Sequence, residues 1–242
     1  EEIHDRLEAL YASYDIQLMR ESLPKSVSLY AIELGAQESG AEQAAKALLG
    51  AGAAAESGST RFSAVYSSGL GKCSVSLDGS FHAELTGRNV VSDLRRDAEK
   101  LLAQMGFSHE TLSEAERISA GVYRIDAAQR ILGVPVFSEG LHLTYVNGIL
   151  TTVDGVFYTG ESQITRISES ASNSCADALV ALLSSRDQLG WVGSSILRVQ
   201  QGYRHTESAS TSLRLAPVWI IETDTGTFQV NGLTGEVTQP ES

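Results

Sequence analysis

Two dipeptides constrain the fold of this chain more than any other feature: Asp78-Gly79 and Asn147-Gly148, each set between short runs in which apolar and polar residues alternate. A tight hairpin turn needs positive φ at its central residues, and Asn or Asp followed by Gly supplies it at least cost. Antiparallel ribbons are therefore predicted over Lys72–Leu77 with Phe81–Leu85, and over Leu141–Val146 with Ile149–Asp154. In the second ribbon a two-residue loop pairs Val146 with Ile149 and Tyr145 with Leu150. At regular register Leu141, Leu143, Tyr145, Leu150 and Thr152 then share the expected core face. His142, Thr144, Val146, Ile149, Thr151 and Val153 fall on the other face, which is not very polar and is expected to be covered.

The same order recurs three times, an amphipathic helix and then strands. The first helix is predicted over Ser39–Gly50, with Ser39 and Glu42 at capping-box spacing and Gly50 where a left-handed residue ends a helix. The second spans about Ser92–Gly106, with Leu94, Ala98, Leu101, Leu102 and Met105 on one stripe and Asp93 and Asp97 in its N-terminal half. The third spans about Ser172–Gly190, with Ala176, Leu179, Val180 and Leu183 at helical spacing. Strands are predicted over Arg61–Ser67 after the first helix, and over Gly121–Asp126 and Gly133–Phe137 after the second. After the third they run over Ser195–His205, Ser212–Thr223 and Thr227–Val230. Ahead of these, Ile3–Tyr14 reads as a helix and Ile16–Met19 and Ser28–Leu34 as strands, while Gly50–Ser59 and Ser162–Ser174 read as loops. The expected fold is α+β: tandem modules, each of one helix packed on an antiparallel sheet, over 1–90, 91–168 and 169–242.

The chain has 242 residues, of which 42% are hydrophobic, enough apolar side chain for a core and unlike a disordered polymer. Its formal net charge is −12 and its 18 Lys and Arg are scattered, which excludes nucleic acid and disfavours anionic membrane surfaces. No run of about eighteen apolar residues is present to span a bilayer. Because the first residue is Glu1, a signal or anchoring helix is expected to have been removed ahead of it, which places the domain outside the cytoplasm. Contact with the membrane is then expected only through that N-terminal anchor. Cys73 and Cys175 form no C-x-x-C, which excludes a disulfide framework and a cysteine zinc site. One disulfide and two reduced, buried thiols remain as alternatives.

Signatures of chemistry are absent. His4, His82, His109, His142 and His205 occur in neither H-E-x-x-H nor H-x-x-x-H spacing, and are expected at the surface or half-buried. No G-x-S-x-G occurs, and Gly69-Leu70-Gly71-Lys72 lacks the second half of a phosphate-binding fingerprint. Glu114/Glu116 and Asp93/Asp97 read as solvated or helix-terminal carboxylates. No catalytic residue, cofactor or metal is expected, and the chain reads as non-enzymatic. Trp219 alternates with Leu215, Pro217 and Ile221 along one strand face, which points to core; Pro217 itself points to an edge strand or a strand start.

The C-terminal stretch carries a likeness. Pro217-Val-Trp219, a strand, a turn at Gly226, then Phe228-Gln-Val-Asn231 and Thr234-Gly235-Glu-Val237 resemble the closing hairpin of YycI/YycH-type proteins and the related PepSY modules. Gly133-Val-Pro-Val-Phe137, Leu141–Val146 and Asn147-Gly148-Ile149 are similar to another segment of the same proteins. The resemblance implies a structural motif at Pro217, Trp219, Gly226, Asn231, Thr234 and Gly235, with no binding residue to carry over. It implies a membrane-anchored, extracytoplasmic protein of a Gram-positive-type bacterium, without catalysis or cofactor. Such proteins associate with the sensor histidine kinase YycG (WalK) and restrain it, so the implied partner is a protein, a membrane sensor kinase or a related regulator. The alternative reading is a PepSY-like peptidase inhibitor or cell-envelope binding protein. A third is an enzyme whose site is assembled from distant residues.

Overall fold

The computed structural model describes residues 2–19, 21, 23–35, 37–59, 63–207 and 212–240. In chain order these form helix α1 (Glu2–Ala12), strands β1 (Gln17–Leu18) and β2 (Ile32–Leu34), helix α2 (Gln37–Leu49), and strands β3 (Ala54–Ala55), β4 (Ser63–Ser68), β5 (Gly71–Ser76) and β6 (Ser80–Leu85). Helix α3 (Leu94–Met105) follows, then β7 (His109–Leu112), β8 (Glu116–Ser119), β9 (Val122–Ile131), β10 (Val134–Pro135), β11 (Leu141–Val146), β12 (Ile149–Val156) and β13 (Ile164–Arg166). The chain ends with α4 (Cys175–Ser184), the single turn α5 (Arg186–Leu189), β14 (Ser195–Thr206), β15 (Leu213–Thr223), β16 (Gly226–Asn231) and β17 (Val237–Thr238).

The fold is α+β with large antiparallel sheets and few helices. The chain groups into two compact units, one of 1–32, 166–205 and 215–242, the other of 33–165 and 206–214. We call these unit 1 and unit 2. The grouping does not follow the expected thirds: residues 1–90 are shared between the units, and α2 and α3 both belong to unit 2.

Unit 2 holds a ten-stranded sheet in the order β10-β9-β11-β12-β6-β5-β4-β3, with β7 and β8 also paired to β9. Every pairing in it is antiparallel. Both helices contribute to one core on this sheet, so the pattern of one helix to a sheet is not what forms. Ala41, Ala44 and Ala45 let α2 lie close, while Leu48, Leu49, Leu101, Leu102 and Met105 meet Phe81, Leu143, Tyr145 and Val153. Phe107 and Phe157 pack edge-on at 5.2 Å between centroids. Each fully buried side chain of this size contributes about 1.5–3 kcal/mol relative to exposure.

The helix boundaries follow from local chemistry. The Asp93 side chain accepts from the Arg96 amide, and Gly106 at φ 79° closes α3. Gly50 at φ 84° ends α2 as expected, but α2 starts at Gln37, so Ser39 lies inside the helix and is not its cap. Ser174 and Asp177 form the capping box of α4. The buried stripe of α4 is Cys175, Ala178, Leu179, Leu182 and Leu183; Val180, expected on it, is 43% exposed. Arg61, the expected start of the strand after α2, lies outside the described residues. Strands β7 and β8, and β3 and β13 within the expected 50–59 and 162–174 loops, are not anticipated by the sequence pattern.

The Asn147-Gly148 turn forms as predicted, with φ of 51° and 78°, and pairs Val146 with Ile149 and Tyr145 with Leu150. Two residues later the register shifts, so that Thr144 faces Thr152 and Leu143 faces Val153. Thr151 is the extra residue of a β-bulge, its hydroxyl donating to the Thr144 carbonyl at 3.2 Å. The bulge exchanges the faces of the next residues: Val153 is buried at 0% exposure, and Thr152 joins Thr144 on the outer face.

Unit 1 carries the path β1-β14-β15-β16-β17. The short β1–β14 pairing is parallel, whereas β15–β16 and β16–β17 are antiparallel. Its core joins Leu7 and Tyr11 of α1 with Leu179 and Leu182 of α4 and with Ile196, Trp219, Ile221, Phe228 and Val230 of the sheet. The Tyr11 hydroxyl donates to the Leu179 carbonyl at 2.7 Å, satisfying the one polar atom of a fully buried ring. Among the described residues no helix is long and apolar enough to cross a membrane.

Candidate functional site

The six residues singled out in the C-terminal stretch come together around one hairpin of unit 1. Strands β15 and β16 pair from Val218–Asn231 to Thr223–Gly226, leaving Asp224-Thr225 as the connecting turn. The Asp224 carboxylate accepts from the amides of Ser194 and Ser195 and from the Ser194 hydroxyl. These bonds, the Ser194 hydroxyl first, hold Asp224 below the usual aspartate range. Gly226 follows the turn, and its carbonyl accepts from the Thr223 hydroxyl at 2.7 Å.

The link from β16 to β17 is built by Asn231, Thr234 and Gly235. The Asn231 side-chain oxygen accepts from the amides of Leu233 and Thr234 at 2.9 and 3.0 Å, and the Asn231 carbonyl accepts from Gly235 at 2.9 Å. Gly235 takes φ 75°, which a side chain would oppose. Trp219 is fully buried, and its indole N–H donates to Asn173. A ligand-stacking platform is incompatible with that burial.

Pro217 lies in β15, which is flanked by β14 and β16 and is therefore not an edge strand. The expectation fails for a local reason. The Pro217 carbonyl accepts from Gly232 at 2.8 Å, so both its carbonyl and its missing N–H turn to the β16 side. The β15–β16 ladder begins only at Val218 and Asn231, so no ladder bond is lost.

The outer face of the unit 2 sheet holds a constellation the sequence reading did not assemble. Directly opposite one another across four neighbouring strands stand Asp126 on β9, His142 on β11, Asp154 on β12 and His82 on β6. His142 Nδ1 lies 2.6 Å from Asp126 Oδ1, and His82 Nδ1 contacts Asp154 Oδ1. His82 Nε2 lies 3.4 Å from Glu84, while Arg124 Nε lies 3.0 Å from Asp126. Asp154 raises the His82 pKa above the ordinary imidazole value, against the opposing pull of desolvation, and Glu84 adds to the rise. These side chains are separated by 16 and 72 positions in sequence. Only the bulge at Thr151 brings Asp154 opposite His142, and no local signal marks that bulge.

A second feature of unit 2 is a recess of about 660 Å³ between α2 and the β3 end of the sheet, lined in part by Glu38, Ala41, Ala54, Ala64, Tyr66 and Val75. Among the described residues β3 pairs only with β4, so its outer backbone edge stands open beside the recess. Sheet edges of this kind accept an added strand.

Nucleophilic and metal chemistry find little here. Cys73 and Cys175 are free and buried, in unit 2 and unit 1. Burial pushes their thiols up to about 12 and about 11, leaving them inert near neutrality. Among the described residues no group of three or more His, Cys, Asp or Glu converges on a metal position.

No family model matches the chain, and no curated protein matches it, so sequence comparison gives the YycI/YycH likeness no support. Solved structures do match. One is an uncharacterized protein from Eubacterium rectale ATCC 33656, 10% identical over 93% of this chain and 90% of that one, with a TM-score of 0.49. Another is the Bacillus megaterium YpeB C-terminal domain, 11% identical over 86% of this chain and 99% of that one, with a TM-score of 0.39. At these scores both are weak structural neighbours, and neither bears on what the chain does.

Proposed function

We propose that this chain is a non-enzymatic regulatory and protein-interaction module that works outside the cytoplasm, in the manner of the YycI/YycH-type and PepSY proteins its C-terminal stretch resembles. Its partner on this reading is a membrane sensor histidine kinase such as YycG (WalK) or a related regulator. Binding biases the kinase between states through contacts made better with one state than with the other. The observation that carries the reading is the closing hairpin, where Pro217, Trp219, Asn231, Thr234 and Gly235 all serve turn and packing roles, as a structural motif requires. Co-purification of the full-length protein with sensor kinases from its own cell envelope tests the proposal. Enrichment of a kinase over an unrelated membrane protein is expected, and its absence overturns the reading.

The recess beside β3 favours a second reading, a PepSY-like peptidase inhibitor or cell-envelope binding protein that takes an extended segment at the open edge. Titrating the chain into envelope peptidase assays separates the two. Stoichiometric inhibition supports the second reading, and unchanged activity removes it.

A further inference from the structure

The seam between β6 and β12 joins two parts of the unit 2 sheet that are remote in the chain, residues 80–85 and 149–156. Within that seam the two nitrogens of His82 are each turned to a carboxylate oxygen, Nδ1 to Asp154 on the facing strand and Nε2 to Glu84 on its own. A neutral imidazole has one N–H and one lone pair, and can donate to only one carboxylate. The imidazolium ion donates to both. The protonated ring can therefore serve both contacts at once, and the neutral ring only one.

We propose that His82 is a proton-operated clasp on the β6/β12 seam, holding the two parts of the sheet together when its ring is charged and loosening them when the proton leaves. The surrounding charges favour this. Asp154 and Glu84 face the ring directly, and Asp154 also stands opposite His142, which Asp126 holds from β9. The cations nearby are already engaged: Lys72, opposite Glu84 on β5, lies 3.1 Å from Glu56, and Arg124 lies 3.0 Å from Asp126. Loss of the His82 proton leaves one of its two carboxylates facing a lone pair, with solvent in place of the ring as donor.

The direction of the pH effect follows. The folded pKa of His82 lies above its ordinary value of 6.5. The stabilisation is therefore fully present below that ordinary value and is lost as pH rises through the folded value. The two side chains are 51% and 44% exposed, so salt screens the contact and the effect is one of local opening along the seam, not of global unfolding.

The test uses the intact chain. The His82 ring is titrated by NMR between about pH 5 and 9, and hydrogen exchange of the β6 and β12 amides is followed over the same range in the wild type, His82→Gln and Asp154→Asn. The His82 midpoint is expected above that of an unstructured histidine, and to fall in Asp154→Asn. Protection of the seam amides, corrected for intrinsic exchange, is expected to drop several-fold through that midpoint in the wild type and to stay level in His82→Gln. Amides of β16 serve as the internal reference. A midpoint at or below the ordinary value, or the same loss of protection in His82→Gln, overturns the proposal. The midpoint and the protection profile of the unmodified chain decide the matter even where a variant does not fold, and protection that stays level through the midpoint also overturns the proposal.

Discussion

The indole N–H of Trp219 donates to Asn173, 3.0 Å from its side-chain oxygen and 3.3 Å from its carbonyl, while the Asn173 amide donates to the Gly232 carbonyl at 2.7 Å. Asn173 thus ties the middle of β15 to the loop that leaves β16. Replacing Trp219 by Phe keeps most of the apolar contact but leaves the Asn173 oxygens without their donor. A loss of roughly 1–2 kcal/mol is expected, since the hydrogen bond goes and its half-buried acceptors are left without a protein donor. Denaturant unfolding of Trp219→Phe measures it, and an unchanged midpoint would falsify the assignment.

Leu132 and Gly133 form the turn between β9 and β10, with φ of 50° and 79°. Leu132 is 52% exposed, so it bears the cost of a left-handed backbone with little burial to offset it. Leu132→Asn supplies the residue this turn favours, and is expected to stabilise the chain by roughly 0.5–1 kcal/mol. Thermal unfolding reads the gain as a rise in Tm; a fall would mean that the Leu132 side chain matters more than its backbone.

The two thiols offer a check at alkaline pH. In the folded chain Cys73 is pushed up to about 12 from an ordinary value of 9.0. Its neutral form is favoured by folding, so this contribution is whole below the ordinary value and is lost as pH rises from there towards about 12. Near pH 8, a thiol reagent is expected to label neither cysteine until denaturant is added. Rapid labelling of the native chain would show that either site opens easily.

Thr151 is surplus to the β11–β12 ladder. Deleting it leaves Leu150 opposite Tyr145 and Thr152 opposite Thr144, with Val153 still facing the core. The deletion is expected to fold, with stability within roughly 1–2 kcal/mol of the wild type. Deleting Ala83 from β6 would instead reverse the faces of its neighbours, because side chains alternate along an unbulged strand. Circular dichroism and melting of the two deletions distinguish them, and equal damage from both would count against the bulge.

The bulge also explains how far the sequence could be read. Asn147-Gly148 is a local signal, because the turn is decided by two residues whose backbone preferences are known, and it formed where predicted. The bulge two residues further on leaves no such mark, so the assignment of Thr152 and Val153 to faces came out reversed. Strands β7 and β8 were missed because they carry no alternation: Glu116–Ser119 is exposed at every position. The α3 stripe was legible from its period, whereas α4 is apolar around more of its circumference, and Val180 was placed on the wrong side of it. The row from Asp126 to His82 could not be seen at all, since it exists only once four strands are in register. The hairpin motif at Pro217–Gly235 was visible as a pattern, but its roles were not, because they depend on Asn173 and on where the β16 ladder stops.

The division of the chain also sets an order of events during synthesis. Most of unit 2 is one continuous segment, 33–165, and its sheet and both its helices are synthesised before α4. Helix α1 precedes this segment in the chain, yet its core neighbours Leu179, Trp219 and Phe228 all follow it. Leu7 and Tyr11 must therefore wait for their core neighbours while the whole of this segment is made, and α1 is a stretch on which a holding chaperone has a long time to act.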